Sequence, residues 1–370
     1  MADRNQKLIM SEYDPSHKVY WAVTEQFQKI RDISDITVKN YLIAGYHIQL
    51  NFIGSSLVDC LTPAFAHLSW KPSDQESSSQ SSQPALTIFI WDAHSTNMAI
   101  PSLGISHADY WSAGQVANNC KDHIKVTIGT QPKVINILDF RSQQGIFWME
   151  SIHDFENYDI SYERAAPLVR ILLWWLERKQ LFFLHAAAVG TSQSCILIVG
   201  DGGAGKSTTA LACWHQGMNY ISDDFCMVSL EPDPRVFSLY NTGKLSLNSQ
   251  KLFERLDQPL PSFSFWDHEK AVLFTAQHTP ERVMPSLPIK AILMPQIVDS
   301  HSSQLILASP TQGIRTLAPS TLRILTSLAG SRDWTFTSIG KLVKQLPVYQ
   351  FKVGQDLKAV YQCVFDLLLS

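Results

Sequence analysis

Eight consecutive residues constrain this chain more than any other segment. Gly200-Asp201-Gly202-Gly203-Ala204-Gly205-Lys206-Ser207 fits the pattern G-x-x-x-x-G-K-[S/T], with ILIV before it and TTALA after it. Such a pattern has meaning between a buried strand and a helix, and both flanks suit that placement. Glycines permit positive φ and let backbone N–H groups turn inward around an anion. The helix that follows presents its positive end to the same point. Lys206 is expected to reach the β- and γ-phosphates of ATP, and the Ser207 hydroxyl to sit on Mg²⁺. Gly200 through Ser207, with Thr208, form the expected nucleotide site.

The surrounding pattern agrees. LFFLHAAAVG and SCILIVG read as short buried strands, STTALACWHQG as a helix and MNYISDDFCMVSL as a further strand. Strand, loop, helix, strand is the βαβ arrangement of an α/β nucleotide-binding domain. Upstream, YERAAPLVRILLWWLERKQ has helical periodicity over one long segment. The N-terminal part is different. NYLIAGYHIQLNFIG and ALTIFIWDA read as strands, SSLVDCLTPAFAHL as a helix interrupted at Pro63, and KVINILDF with GIFWMES as a hairpin around Arg141 to Gln144. The expected organisation is a mixed α+β domain over residues 1–164 and an α/β domain over 165–370. Residues 73–84 (SDQESSSQSSQP) are polar, lack β-branched side chains and read as a mobile surface loop.

Composition narrows the functional classes. Hydrophobic residues make up 45% of the 370, enough to build cores, and 30 Lys+Arg face 33 Asp+Glu for a net charge of −3. So balanced a chain is not built as a general binder of nucleic acid or anionic membranes. The six cysteines form no CxxC pair and read as reduced thiols. No stretch reaches the roughly 18 apolar residues of a membrane span, and MADRNQKLIMSEYD carries no signal-peptide pattern, so a cytoplasmic location is expected.

Two further features carry chemistry. Asp223-Asp224 follows NYIS at the end of the strand after the loop helix. One carboxylate there can hold Mg²⁺ and the other can take a proton from an attacking hydroxyl. On an extended chain, neighbouring carboxylates point in different directions, so separate roles are expected. His185 ends LFFLH, just upstream of the loop strand.

LHAAAVG…ILIVGDGGAGKSTTALACWHQGMNYISDD resembles the catalytic core of the HPr kinase/phosphorylase family, in which a histidine-bearing strand, a phosphate loop, a helix and an Asp-Asp pair follow in that order. The likeness is strong over about residues 185–230 and continues weakly through LPIKAILMP and LPVYQFKVG. The sequence has Gly202 and Thr208 where the family usually carries a serine and an acidic residue. VFSLYNTGKLSLN stands where the family has a glycine-rich segment. The chain is closer to diverged members, some of which phosphorylate the terminal serine of lasso-peptide precursors. The resemblance implies phosphoryl transfer from ATP to a hydroxyl. Asp223 would be the general base, assisted by His185; Lys206 would bind phosphate; Ser207 would bind Mg²⁺, with Asp224 as a metal-linked carboxylate. It implies a peptide or small protein with a free hydroxyl as acceptor, and it leaves room for a homo-oligomer.

Lys244, in YNTGKL, and Lys270, in DHEKAV, are candidate phosphate contacts. Arg282 and Arg315 are candidate charge-stabilising groups, and Trp174-Trp175 read as core. Two alternatives stay open at this point: a regulatory ATP-binding module without transfer, and a kinase acting on a small-molecule hydroxyl. A GTPase is disfavoured because the chain has no NKxD motif.

Overall fold

The computed structural model describes residues 15–31, 35–71, 83–100, 103, 123–130, 133–153, 161–254, 259–267 and 269–370. Residues 73–82 of the expected mobile loop lie outside them. The first sheet has six strands: β1 (Ile36–Ile43), β2 (Tyr46–Ile53), β3 (Leu86–Asp92), β4 (Ile124–Thr130), β5 (Lys133–Asp139) and β6 (Gln144–Met149). Their order is β1-β2-β3-β6-β5-β4. The two pairs that flank β3 are parallel and the other three antiparallel. The expected hairpin around Arg141 to Gln144 forms between β5 and β6. β1 and β2 turn through Ala44 and Gly45, both at positive φ, which matches the right-handed twist of the strands they join.

Helix α1 (Pro15–Arg31) buries Val19, Val23, Phe27 and Ile30, spaced along one helical face. They pack with Val126, Ile135 and Trp148 of the sheet. Helix α2 (Val169–Glu177) packs in a second cluster, among Ile88, Phe147 and Leu168. The sequence predicts one long helix here, and the structure breaks it in two. A short helix spans Ser161–Ala165, and α2 begins only after Leu168, which adopts φ 60°. Pro167 is the cause: it disfavours helical backbone at Ala166 and removes a donor from the ladder.

The remaining strands are β7 (Phe182–Leu184), β8 (Ala186–Gly190), β9 (Cys195–Val199), β10 (Asn219–Ser222), β11 (Cys226–Ser229), β12 (Arg235–Ser238), β13 (Thr242–Ser246), β14 (Phe265–Asp267), β15 (Lys270–Phe274), β16 (Ser286–Ile297), β17 (Gln304–Ala308) and β18 (Val348–Val353). Nine of them form a second sheet in the order β10-β8-β9-β16-β12-β11-β7, with β18 joined to β16 and β17 to β18. β13, β15 and β14 form a separate small sheet. Two segments expected as single strands are divided: LFFLHAAAVG at His185, and NYISDDFCMVSL at the acid pair.

Helices cover both faces of the nine-stranded sheet. α3 (Lys206–His215) and α6 (Leu357–Leu369) bury Leu211, Val360 and Val364 with Ile196 and Leu293. α4 (Pro310–Leu328) and α5 (Arg332–Gln345) bury Leu317, Ile339 and Leu342 with Leu197 and Ile292 on the other side. The chain is thus a mixed α/β protein. A continuous apolar cluster joins the two sheets through α2: Ile88 and Phe147 belong to it together with Trp174, Met227 and Leu325. No helix among the described residues is long and apolar enough to cross a membrane.

Candidate active site

The glycine-rich loop runs from the end of β9 into α3. Gly205 occupies the helix N-cap at φ 100° and Gly203 adopts φ 82°, a region costly for residues with a Cβ. Lys206 is buried. Its Nζ donates to the carbonyls of Gly200 at 2.9 Å and Asp201 at 3.2 Å. Burial lowers its pKa, while the charges of Asp224 and Asp223 act in the opposite direction. From behind, Ser320 Oγ of α4 donates to the Gly200 carbonyl at 3.4 Å. Thr208 donates to Ser249 Oγ at 3.1 Å.

Asp223 is 2% exposed. Its Oδ1 accepts from Ser207 Oγ at 3.0 Å, and its Oδ2 accepts from the Lys244 backbone N–H at 3.3 Å. Burial and the neighbouring Asp224 charge push its pKa up to about 7, against the opposing Ser207 bond and the Lys270 and Lys206 charges. Asp224 faces the other way. Its Oδ1 accepts from His185 Nε2 at 3.2 Å, and its Oδ2 lies 4.0 Å from Lys244 Nζ. Burial works to raise the pKa of this carboxyl. The His185 bond and the charges of Lys244, His185 and Lys270 outweigh that and hold it well below the usual range.

The local backbone sets where the two side chains point. Phe225 N–H donates to the Asp223 carbonyl at 2.8 Å, and Asp224 between them adopts φ 65°. This three-residue turn is rare for a non-glycine residue. It replaces the extended geometry expected at the pair, and the two carboxylates still point to different partners, as expected. The loop serine therefore meets Asp223. Asp224, given metal work in the sequence reading, turns its oxygens to His185 and Lys244.

His185 sits in the break between β7 and β8, 8% exposed. Its backbone N–H donates to Thr321 Oγ1 at 3.1 Å. Neither Ser320 nor Thr321 was anticipated as a support of the site. The available signal was a pair of small polar residues on the otherwise apolar face of α4. Lys244 is buried on β13 and belongs to the site. Gly243 beside it allows the approach, because a Cβ there would lie 2.8 Å from Leu211 of α3. Lys270 opens β15, exposed, and its charge acts on Lys206, Asp223 and Asp224.

The two candidate arginines stand apart from this cluster. Arg282 Nη1 donates to the Trp214 carbonyl at 3.0 Å, at the C-terminal end of α3 and so at the far end of that helix from the loop. Arg315 is exposed on α4. Trp174 and Trp175 are buried, with indole N–H bonds to the Leu328 carbonyl and Gln143 Oε1.

Among the described residues no three His, Cys, Asp or Glu side chains gather as a metal site. Magnesium that arrives with a nucleotide needs no such cage, because phosphates and water fill most of its shell. The Ser207 hydroxyl beside a carboxylate suits that arrangement.

No protein-family model matches the chain, and no curated protein matches it. Among solved structures, the HPr(Ser) kinase/phosphatase of Coxiella burnetii is similar over 46% of this chain and 79% of that one, at 11% identity and a TM-score of 0.26.

Proposed function

We propose that this chain is an ATP-dependent kinase that transfers the γ-phosphate of Mg-ATP to the hydroxyl of a peptide or small protein. The observation that carries the reading is Asp223: a buried carboxyl with a pKa raised to about 7 that bonds the serine of the glycine-rich loop. A general base works best when its pKa lies near the working pH. An ordinary structural carboxylate bound to a loop hydroxyl would have its pKa lowered by that bond. Here burial and Asp224 prevail.

The other roles follow from the contacts. The loop N–H groups and the start of α3 form the phosphate cradle. Lys206 bonds only neutral carbonyls of its own loop, and an anionic phosphate oxygen is a stronger acceptor than either. Ser207 would hold magnesium, which supplies charge neutralisation on the phosphates when bound. Asp224, anchored by His185 and Lys244, is a fixed negative charge that keeps Asp223 basic. Asp223 takes the proton of the acceptor hydroxyl as that oxygen meets the γ-phosphorus in line with the leaving phosphate. His185 orients Asp224 and so acts on the base through it.

The domain division at about residue 165 enters this reading as a proposal too. The N-terminal part would buttress the site: Asn241, just before β13, donates to the carbonyls of Pro63 and Ala64, each at 2.8 Å.

The test uses γ-labelled ATP, magnesium and peptides bearing a free serine. Label on the peptide with the native protein, and its loss with Asp223→Asn, supports the kinase. Tight ATP binding with no transfer to any acceptor supports the regulatory module instead.

A further inference from the structure

Three parallel neighbours, β9, β16 and β18, run in the same direction through the sheet. Their carboxyl ends open on one side, and β9 ends there in the glycine-rich loop. In open α/β sheets, the crevice beyond the carboxyl ends of the strands is where ligands bind. A cleft of about 430 Å³ lies there, lined by Gly205, Thr208, Leu252, Ile297, Val353 and Leu357. That volume falls within the roughly 300–1,000 Å³ of small-ligand pockets.

The cleft is continuous with the phosphate cradle, because Gly205 and Thr208 belong to both. Its wall is apolar, and Ile297 is 65% exposed there although it is a large aliphatic side chain. A Cβ on Gly205 would lie 3.5 Å from Ile297, so the loop and this side chain adjoin. Opposite chemistry marks the rim. Gln355 Nε2 donates to Asp299 Oδ1 at 3.0 Å, and both residues line the cleft. That bond uses a donor of the amide and leaves Gln355 Oε1 and the second Asp299 oxygen as acceptors. The floor is fixed by backbone bonds: Val298 N–H to the Val353 carbonyl at 3.0 Å, and Gln355 N–H to the Ser300 carbonyl at 2.9 Å.

We propose that this cleft holds the purine base of the nucleoside triphosphate. The inference rests on the nucleotide reading given above and adds where the base lies and what recognises it. The flat apolar wall at Ile297 and Leu252 takes the ring face. The acceptors at Asp299 and Gln355 take an exocyclic amino group. A nucleoside joined to phosphates on the loop passes over Thr208 to reach them.

The experiment compares ATP with inorganic tripolyphosphate, which has the phosphates and no base, by calorimetry on the full chain. The proteins are wild type, Ile297→Ser and Lys206→Ala. Ile297 is exposed, so its replacement leaves the fold intact. The expected result is that wild type binds ATP more tightly than tripolyphosphate, and that Ile297→Ser weakens ATP by about ten-fold and leaves tripolyphosphate unchanged. Lys206→Ala is expected to weaken both. Unchanged ATP affinity in Ile297→Ser, or equal loss of both ligands, overturns the base pocket while the phosphate site stands. Wild-type protein that binds neither ligand overturns the nucleotide reading itself.

Discussion

Ser207 Oγ donates to Asp223 Oδ1 at 3.0 Å, a single bond that ties the first turn of α3 to the end of β10. The bond joins the glycine-rich loop to a carboxyl whose pKa lies at about 7. Asp223→Asn keeps an oxygen acceptor for Ser207 and removes the base. Transfer of label from ATP should fall by about 10²–10⁴-fold. ATP affinity, read by calorimetry on the same protein, should stay within about three-fold. Transfer at the native rate would remove Asp223 from the chemistry.

The neighbouring charge makes a separate prediction. Burial and the Asp224 charge are the two causes that raise Asp223. The transfer rate should therefore climb as pH rises through about 7, where the base loses its proton. Asp224→Asn removes one of the two causes, and the inflection of the pH–rate profile should move to lower pH. An inflection that stays in place would mean that the profile reports another group.

Much of this site was legible in the sequence. Strand, loop and helix around Gly200–Ser207 follow from local glycine chemistry and short apolar runs, which act within a few residues. The turn at the acid pair did not follow. The backbone there is a turn, with Asp224 at φ 65°, and it aims one carboxyl at Ser207 and the other at His185. That backbone is held by partners distant in sequence, His185 and Lys244, so no local pattern announces it. Lys244 was visible as a lysine in a turn-like segment. Its burial beside Asp224 depends on elements far apart in the chain. The break of the long helix at Pro167 was readable, because proline acts locally on the residue before it.

Stability should also depend on pH through the same carboxyl. Asp223 is raised in the folded protein relative to an ordinary aspartate, so the folded state binds more protons between about pH 4 and pH 7. Stability from this group is thus lost as pH rises across that window. Asparagine at 223 carries no such charge. Thermal melts of Asp223→Asn and wild type should lie close together at pH 5, with the variant melting several degrees higher at pH 8. Asp224 acts with the opposite sign: its lowered pKa gives stability that is lost as pH falls below the ordinary aspartate range. Asp224→Asn should therefore destabilise at neutral pH and converge on wild type in acid.

Arg282 separates a structural cation from the cations of the site. Its guanidinium bonds the Trp214 carbonyl at 3.0 Å and lies over the Trp214 ring, 6.0 Å from the ring centre. A cation at the C-terminal end of a helix contributes about 0.3–1 kcal/mol, and the bond to a carbonyl adds an amount of the same order. Arg282→Ala should lower the melting temperature by a few degrees and leave ATP affinity and transfer unchanged. Lys244→Met should instead lower both the melting temperature and the transfer rate, because it takes a buried cation from beside a buried carboxylate. It removes the ammonium 4.0 Å from Asp224 Oδ2, one of the groups that hold that carboxyl in place beside Asp223, and so slows transfer. Measuring both variants for melting temperature and transfer rate sets the two effects side by side. A loss of transfer in Arg282→Ala comparable to that in Lys244→Met would mean that the far end of α3 is coupled to the chemistry.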